Sequence, residues 1–348
     1  MAISHRSMEE KKLVFQRILL SRMKFIGDVV LTTPLIHTLR DAFPHAYLAY
    51  LGDKNAVSLL EHNPYLDEII PFDFSRTDVL YSFQMFASLY AKKFDLAIDL
   101  FSNPRSALLT FATRARVRIG GNAKGRGKLY TIRIQDDGKP KSAIDYHYQS
   151  LKPLGIEPKY EKTEIFLTDK ERQAAFELLR SSGVDTSKRI VTLHPGGTWP
   201  AKRWQKEKFA TVAQRLYDEG YSVIVTGGTQ DMEAVEFVCK NAPVRFVGHQ
   251  SVRTIAAIHS HCSAAISNDC GIMHISVAVG TPTVGIFGPG QEQIWFPYAP
   301  PHVALRKHVA CNPCHLNVCN RIGDDYMECM NLLSVDEVFH TVMERLTS

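Results

Sequence analysis

The sequence of 348 residues predicts an α/β protein with two doubly wound parallel sheets of Rossmann-like type facing a central cleft. Short apolar runs alternate with stretches of helical periodicity, and the same rhythm occurs in both halves of the chain. A polar connection, "GIEPKYEKTEIFLTDKERQ" (155–173), separates the halves and places the domain boundary near residues 150–175. With 45% hydrophobic and 22% charged residues, the composition is that of an ordinary globular protein long enough for two domains.

The elements of the first half follow from apolar runs and the polar stretches between them. Strands are predicted at 17–22, 46–51, 67–72 and 94–101, and helices at 28–42, through "AVSLLEH" and near 78–92. In the last of these helices Phe83, Phe86, Leu89 and Tyr90 recur at helical spacing, which predicts that they face a core, with an acceptor surface as the alternative.

The second half repeats the pattern and ends in an additional helix. Strands are predicted at 189–195, 221–228, "VRFVG", 263–269 and 282–289, and helices at 205–219, 231–241, 251–261 and 271–279. Ser334 with Glu337 three residues later forms a capping box that opens a last helix. The predicted domains are therefore 1–165 and 175–333, followed by a helix over 334–348 that we expect to pack back on the first domain.

Charge and hydropathy limit where the protein acts. No run of about 18 apolar residues exists, and the first residues include acids and no apolar core of a signal peptide, so we expect a cytoplasmic protein. The net charge is +5 and the pI about 8.7, which is mildly basic and only weakly favours an anionic partner.

One stretch concentrates the positive charge without any acid. Residues 114–135 contain seven cations, namely Arg114, Arg116, Arg118, Lys124, Arg126, Lys128 and Arg133. A solvated, mobile loop is one interpretation, and contact with a polyanion is the other. Nucleic acid and a phosphorylated lipid surface would both suit this charge, but no aromatic stacking series, recognition helix or zinc-finger spacing accompanies it.

Ligands of open α/β sheets bind at the carboxyl ends of the strands, and three loops there carry polar residues. The first, "SRMKFIGDVVLTTP", contains Gly27 and Asp28. An acid at the start of a helix is commonly a cap, but at this position its carboxylate could also accept a proton from an incoming hydroxyl group.

The other two loops favour phosphate binding. "HPGGTWPAKRW" (194–204) joins a strand to a helix with two glycines, a hydroxyl and two cations, and "ISNDCGIMH" (266–274) leads into a helix opened by Gly271. The start of a helix offers unpaired amides and partial positive charge, and Lys202 adds a full charge. A plain turn would explain neither the cations nor the hydroxyl group.

Common cofactor patterns are missing from these loops. A dinucleotide dehydrogenase would carry GxGxxG after its first strand, and a phosphate-loop ATPase GxxxxGK followed by Ser or Thr; neither is in place. No HExxH or DxD metal signature stands at a strand end either. We therefore predict that protein cations and amides hold phosphate groups without a metal or other cofactor.

Four motifs in order resemble glycosyltransferase family 9, the ADP-heptose:lipopolysaccharide heptosyltransferases. They are "RILLSRMKFIGDVVLTTPLIHTLRDAFP", "HPGGTWPAKRW", "VTGGTQD" and "SNDCGIMHISVAVGTPTVGIFGP". The resemblance implies a GT-B fold with an N-terminal acceptor-binding domain and a C-terminal nucleotide-sugar-binding domain. It also implies inverting, metal-independent transfer of L-glycero-D-manno-heptose from an ADP-sugar to the inner core of lipopolysaccharide, at the inner face of the cytoplasmic membrane.

The same resemblance assigns roles to particular residues. Asp28 matches the catalytic base, and the predicted donor-binding residues are Gly197, Thr198, Lys202, Asp231, Asp269, Gly271 and His274. Asp231 falls near the acid that meets the ribose or adenosine, with Glu233 as the alternative. The basic run, Arg114, Arg116, Arg118, Lys124, Arg126 and Lys128, would then meet the lipopolysaccharide acceptor. Cys270 departs from the small hydroxyl residue of many relatives.

Other functions stay open beside this one. A nucleotide-sugar epimerase can use a similar two-domain fold, the donor sugar could be another one, and the basic run could serve a nucleic-acid-binding protein. Cys311, Cys314, Cys319 and Cys329 cluster near the end of the chain and suggest reduced structural thiols, with a structural zinc or iron-sulfur site as the alternative. Trp199 and Trp204 could stack on a ligand or pack in a core.

Overall fold

The computed structural model describes residues 14–76, 78–122, 125–135, 138–314 and 316–347. The first sheet consists of β1 (Arg17–Ser21), β2 (Tyr47–Asp53), β3 (Glu68–Phe72), β4 (Leu96–Asp99), β5 (Val117–Gly121) and β6 (Ile132–Ile134). The second consists of β7 (Ile190–His194), β8 (Ser222–Val225), β9 (Arg245–Phe246), β10 (Ala264–Asn268), β11 (Thr283–Phe287) and β12 (Val303–Arg306).

Both sheets are parallel throughout, with strand orders β3-β2-β1-β4-β5-β6 and β12-β11-β10-β7-β8-β9. Each order reverses direction next to the first strand of its sheet, which is the switch point where parallel sheets bind ligands. The prediction of two doubly wound sheets is confirmed.

Helices connect the strands. In the first half they are α1 (Ile26–Val30), α2 (Thr33–Ala42), α3 (Lys54–Val57), α4 (Val79–Ala91), α5 (Pro104–Ala112) and α6 (Ala143–Tyr148). In the second half they are α7 (Asp169–Ser181), α8 (Lys206–Asp218), α9 (Met232–Asn241), α10 (Val252–His259), α11 (Gly271–Ala278), α12 (Glu292–Trp295), α13 (Glu328–Asn331) and α14 (Val335–Thr347). Short 3-10 turns occupy Ser58–Leu60, Arg126–Leu129, Lys152–Leu154, Pro200–Lys202, Thr229–Asp231 and Gly323–Asp325.

The central strands are apolar because helices cover both of their faces. In β1, Ile18 and Leu20 are buried in one core cluster, whereas Leu19 is buried in another on the opposite side of the sheet. Successive side chains of a strand point to opposite faces, so a continuous apolar run is what a doubly covered strand requires.

The single helix predicted over 28–42 is divided into α1 and α2. Pro34 lies in the first turn of α2. The N–H groups of a first turn have no partner within the helix, so proline costs no hydrogen bond there. The hydroxyl groups of Thr32 and Thr33 donate to the carbonyls of Val29 and Val30 at 2.7 and 2.8 Å, and so satisfy the end of α1. The break keeps α1 short and leaves its start at the cleft.

The last helix does not pack where the sequence suggested. The capping box is present, since the Glu337 amide donates to the Ser334 hydroxyl at 3.2 Å and the Ser334 amide to the Glu337 carboxylate at 3.0 Å. However, Val338 and Val342 of α14 are buried in the core of the second sheet. The expectation that this helix returns to the first domain is therefore wrong, and Trp295 at the end of α12 packs on that domain instead.

Two further predictions need correction. Of the apolar residues on α4, Leu89 is buried, but Phe83 and Tyr90 are 67% and 63% exposed, because only one narrow stripe of the helix meets the sheet. The basic run is also not a plain loop: β5 and β6 pass through it at the edge of the first sheet. The arginines interrupt the apolar pattern of these strands: β6 is the edge strand, where charge is tolerated, and β5 is its neighbour, between β4 and β6.

The two halves meet through a small apolar cluster that includes Val30, Leu59, Ile165, Ala256 and Ile275. Ile165 belongs to the connecting segment, and its amide donates to the Ala278 carbonyl at 3.1 Å. In the described part of the chain, no helix combines the length and the hydropathy that crossing a membrane would require.

Candidate active site

Two adjoining cavities lie where the carboxyl ends of the two sheets face each other. The larger, of about 400 Å³, is lined by the loop after β1 together with the loops after β7 and β10. The smaller, of about 230 Å³, lies among the loops after β7, β8 and β10. Ile26, Thr198, Cys270 and Gly271 line both. The three loops selected from the sequence are thus brought together.

Asp28 lines the larger cavity at the third position of α1. One carboxylate oxygen accepts a hydrogen bond from the Phe25 amide at 3.0 Å, and the other accepts one from the guanidinium of Arg22. The Arg22 guanidinium also lies 4.6 Å from the centre of the Phe101 ring. The acid is therefore both a helix cap and a carboxylate fixed in place at the cavity wall.

The loop after β7 is held by a side chain from β10. The Asn268 amide nitrogen donates to the carbonyls of Pro195 and Gly196, both at 2.9 Å, and its oxygen accepts from the Trp204 amide at 3.0 Å. Trp204 itself is buried in the second core, which decides its role in favour of packing. Trp199, by contrast, lines the larger cavity.

Asp231 supports the same loop from the other side. Its carboxylate accepts from the Gly197 amide at 3.1 Å and from the Gly228 amide at 2.9 Å. A Cβ atom on Gly196 would lie 2.2 Å from Asp231 Cγ, so only glycine fits there. Asp231 borders the smaller cavity, and its hydrogen bonds hold the loops after β7 and β8. Glu233, the alternative residue, is exposed and forms an ion pair with Lys206.

Lys202 lines the larger cavity, and most of its side chain is buried. Lys202 Nζ forms an ion pair with Asp269 Oδ2 at 2.5 Å. The same nitrogen lies 4.9 Å from the centre of the Trp199 ring. Asp269 is almost fully buried. The carboxylate thus positions the lysine, and both border the space next to Asp28.

The starts of α1 and α11 touch across the cleft. A Cβ on Gly27 would lie 2.4 Å from His274 Cδ2, and one on Gly271 would lie 3.0 Å from Ile26 Cβ. His274 Nδ1 is 2.6 Å from the Tyr298 hydroxyl. Burial lowers the pKa of His274 to about 4, so its ring is neutral at neutral pH and carries no charge toward a phosphate.

His194 and Cys270 form a pair that sequence reasoning missed. Burial disfavours the charged imidazole, yet the adjacent Cys270 raises the pKa of His194 overall. Burial likewise disfavours the thiolate, yet His194 lowers the pKa of Cys270. The Cys270 thiol is therefore polarised by a neighbouring imidazole at the wall of both cavities.

The predicted acceptor-binding cations do not form one group. Arg114 and Arg116 precede β5 and so lie at the amino end of the sheet, away from the cleft. Arg118 donates to the carbonyls of Leu129 and Ala115 at 2.9 and 2.6 Å. Lys128 follows β5 and is exposed. Lys124 lies outside the described residues, and Arg126 begins a 3-10 turn after β5.

The four cysteines of the C-terminal segment form no disulfide and lie near one another. Burial first, and the proximity of Cys311, Cys314 and Cys319 next, raise the pKa of Cys329 to about 11. Among the described residues, no three His, Cys, Asp or Glu side chains are placed to hold a metal ion. His315, between the second and third cysteine, lies outside the described residues.

Several lining residues were not selected from the sequence. Arg22 follows β1 directly, and a cation beside a candidate base was a signal that could have been used. Gln230, His249 and Gln250 line the smaller cavity. They carry no recognisable pattern, because they come from separate loops that only the fold brings together.

Residues 82–321, more than half of the chain, match the sequence model of glycosyltransferase family 9 (heptosyltransferase). The chain belongs to this family. It is therefore a glycosyltransferase.

Individual relatives of this family 9 member agree with the assignment. Lipopolysaccharide heptosyltransferase 3 of Escherichia coli is 25% identical over 292 residues, 80% of this chain and 85% of the relative. A family 9 glycosyltransferase from Veillonella parvula superposes with a TM-score of 0.84 at 25% identity, covering 97% and 98% of the two chains. The ADP-heptose lipopolysaccharide heptosyltransferase II of E. coli gives 0.78 at 20% identity, covering 95% and 98%. The fold is thus of the GT-B type.

Proposed function

We propose that this protein transfers L-glycero-D-manno-heptose from ADP-heptose to the inner core of lipopolysaccharide, with inversion and without a metal ion. Family membership and the names of its relatives support the donor and the acceptor. The observation that carries the proposal is that Asp28 of the first domain and Lys202 of the second line one cavity.

The reaction needs a base on one side of the sugar and positive charge on the other. Asp28 takes the proton of an acceptor hydroxyl group, and the oxygen forms a bond to the anomeric carbon from the face opposite ADP. The bond between that carbon and the diphosphate oxygen breaks, and its electron pair leaves with ADP. Lys202 and the amides at the start of α11 stabilise the charge that develops on the leaving group.

The neighbouring residues prepare this arrangement. Arg22 orients Asp28 through its hydrogen bond, and Asp269 orients Lys202 through the ion pair. Gly197 and Thr198 receive the diphosphate, and the smaller cavity receives the nucleoside, with Asp231 acting through the loops that it holds. His274 contributes a neutral ring beside the transferred sugar.

The acceptor would enter from the side of the first domain. Of the predicted acceptor-binding cations, exposed Lys128 follows the carboxyl end of β5, and we expect the acidic inner core to approach the cleft on this side. Such a substrate is membrane-anchored, which is consistent with a cytoplasmic enzyme held peripherally at the inner face of the membrane. No nucleic acid is part of this proposal.

The test is incubation of the purified protein with ADP-heptose and a series of truncated lipopolysaccharides, followed by mass analysis of the lipid. An added heptose on one acceptor, absent with Asp28→Asn, is the expected result. An isomerised nucleotide sugar without transfer would identify an epimerase, and transfer from another nucleotide sugar would replace the donor. Retention on DNA without binding of any nucleotide sugar would favour the nucleic-acid alternative.

The cysteines are proposed to be reduced thiols that stabilise the C-terminal segment. No step above uses them, although their segment contacts the loop after β7, where the Ala201 amide donates to the Asn317 carbonyl at 3.0 Å. Metal analysis of protein purified under reducing conditions tests this assignment, and one zinc or iron per chain would replace it with a structural metal site.

A further inference from the structure

Helix α4 presents an apolar surface to solvent. Its 13 residues, "VLYSFQMFASLYA", include no charged side chain, and only Leu89 is buried. Val79, Leu80, Phe83 and Tyr90 are 84%, 63%, 67% and 63% exposed, and we call these four residues the α4 apolar face. The other helices of this length, α7, α8 and α14, all carry several charged residues.

The exposed face is distinct from the side that holds the helix on the sheet. Tyr81, Met85 and Leu89 recur every four residues and pack on the core beneath β3 and β4. The Tyr81 hydroxyl also accepts a hydrogen bond from the Asp73 amide at 2.7 Å. Packing in the domain therefore does not account for the apolar face, and contiguous exposed patches of this kind mark interaction surfaces.

Cations lie over the aromatic rings around this helix. The nitrogen of Lys24 is 4.7 Å from the centre of the Phe74 ring, and the guanidinium of Arg105 is 5.5 Å from the same ring. Arg114 lies 4.7 Å from the ring of Phe111 on the neighbouring α5. Lys93, two residues after the helix ends, is exposed.

Acids do not neutralise this charge. Asp78 at the start of the helix is paired with Arg76, and Asp73 is paired with Lys54. Within the ranges that the structure describes, Lys24, Lys93, Arg105 and Arg114 form no ion pair with an acid. The apolar face therefore has a positive border, the combination that an anionic lipid surface attracts.

The position of α4 relates this surface to the active site. The helix follows the carboxyl end of β3, so its first turn, with Val79 and Leu80, lies at the cleft end of the first sheet. Lys24 contacts Phe74 just before α4, and the next residue, Phe25, is 61% exposed and lines the larger cavity. Apolar and basic surface thus extends from α4 to the entrance next to Asp28.

We propose that the α4 apolar face is the surface with which the protein lies on an anionic phospholipid bilayer. The apolar side chains enter the interfacial layer, and Lys24, Lys93, Arg105 and Arg114 face the lipid phosphates. This inference deepens the proposed function, on which it rests for the identity of the acceptor: a substrate anchored in the same bilayer would meet the cleft at its open side.

The test measures binding of the full chain to vesicles by sedimentation. Vesicles of phosphatidylethanolamine with phosphatidylglycerol should bind the protein, and phosphatidylcholine alone should bind it much more weakly. The double variant Leu80→Ser with Phe83→Ser should lose at least about tenfold in affinity, since both side chains would no longer be buried in lipid. Lys93→Glu with Arg114→Glu should weaken binding to the anionic vesicles only.

The matched control replaces two exposed apolar residues of the second domain, Val318→Ser with Ile322→Ser, which are 59% and 87% exposed. This variant should bind vesicles like the unmodified protein, and all variants should bind ADP and unfold thermally alike. Equal loss in the control pair, equal binding to both lipid mixtures, or an oligomer that the Leu80 and Phe83 changes dissociate would overturn the proposal.

Transfer to a delipidated core oligosaccharide separates this inference from the proposed function. If that soluble acceptor is not extended while vesicle binding follows the expected pattern, the function falls and the docking surface stands. If it is extended normally and the protein does not bind anionic vesicles, the docking surface falls alone.

Discussion

The guanidinium of Arg22 is hydrogen-bonded to the carboxylate of Asp28, and this pair lines the cavity that Lys202 enters from the opposite domain. The arginine follows β1 and the acid stands on α1, so the loop between them closes on itself through this contact. The free space beside the pair is where an acceptor hydroxyl group and a sugar diphosphate can meet.

Replacing Asp28 by Asn should remove turnover while leaving nucleotide affinity nearly unchanged. A general base contributes about 100- to 10,000-fold, and kcat should fall within that range. Heptose transfer measured beside ADP calorimetry gives both quantities. The exposed helix-start acid Asp169, changed to Asn, is the control, and a wild-type rate for Asp28→Asn would eliminate Asp28 as the base.

Arg22→Met should lower kcat by up to about a hundredfold with little change in KM, because a carboxylate that is no longer oriented meets the hydroxyl group poorly. Arg22→Lys should restore part of the loss, since it keeps the charge but not the planar fork. A role in folding alone would instead lower the thermal midpoint and leave kcat of the remaining folded enzyme intact.

Lys202→Ala should weaken binding of ADP and ADP-heptose by about 10- to 100-fold, as expected for a hydrogen bond to a charged group. Lys206→Ala is the matched control, because that lysine is four residues away and pairs with exposed Glu233. Calorimetry that gives the same dissociation constant for Lys202→Ala and the parent protein would count against the assignment of Lys202.

Asp231→Asn should lower both the stability and the donor affinity. One of the two buried oxygens becomes an NH2 group facing a backbone amide, and leaving such a group unpaired costs about 1–3 kcal/mol. Urea denaturation and ADP calorimetry measure the two effects, and Glu233→Gln should change neither. Lost affinity at unchanged stability would instead indicate direct contact of Asp231 with the nucleotide.

Stability should fall as the pH drops from about 6.5 toward 4. Burial lowers the pKa of His147, His274 and His302 to about 4 and that of His259 to about 3, so at pH 5 these four rings take up about four protons on unfolding, one for each ring. The stabilisation is complete above the unfolded-state pKa and is lost on acidification. His194, whose pKa is raised, acts in the opposite direction.

Urea midpoints at several pH values between 7 and 4 measure this dependence. His259→Asn should reduce the proton uptake by about one, because the unfolded chain then has one fewer imidazole to protonate. The free energy of unfolding of this variant should depend less steeply on pH than that of the parent protein. Equal dependence in the two proteins, or a free energy of unfolding that does not change between pH 7 and 4, would show that these rings are not held neutral.

The pattern of apolar residues predicted the strands that helices cover on both faces, because such strands consist of consecutive apolar residues. The predicted strand over 189–195 and helix over 205–219 differ from β7 and α8 by one residue at each end. The same logic failed at the edge strand β6 and at its neighbour β5, which both contain an arginine, and at α4, where several apolar residues face solvent.

The site was predictable as far as each loop carried its own pattern. Asp28, Lys202 and the glycines could be selected because strand ends and helix starts are visible in sequence. The contacts of Arg22 with Asp28, of Asn268 with the loop after β7, and of His194 with Cys270 could not be. They depend on which side chains the two sheets bring within hydrogen-bonding distance.

The loop after β7 is fastened on one side by Asn268 and on the other by Asp231. A segment restrained in this way is already ordered before nucleotide arrives, so little entropy is lost when phosphate groups settle against it. These bonds also tie the loop to β10 and to the turn after β8, so we expect it to keep its position when the nucleotide binds and leaves.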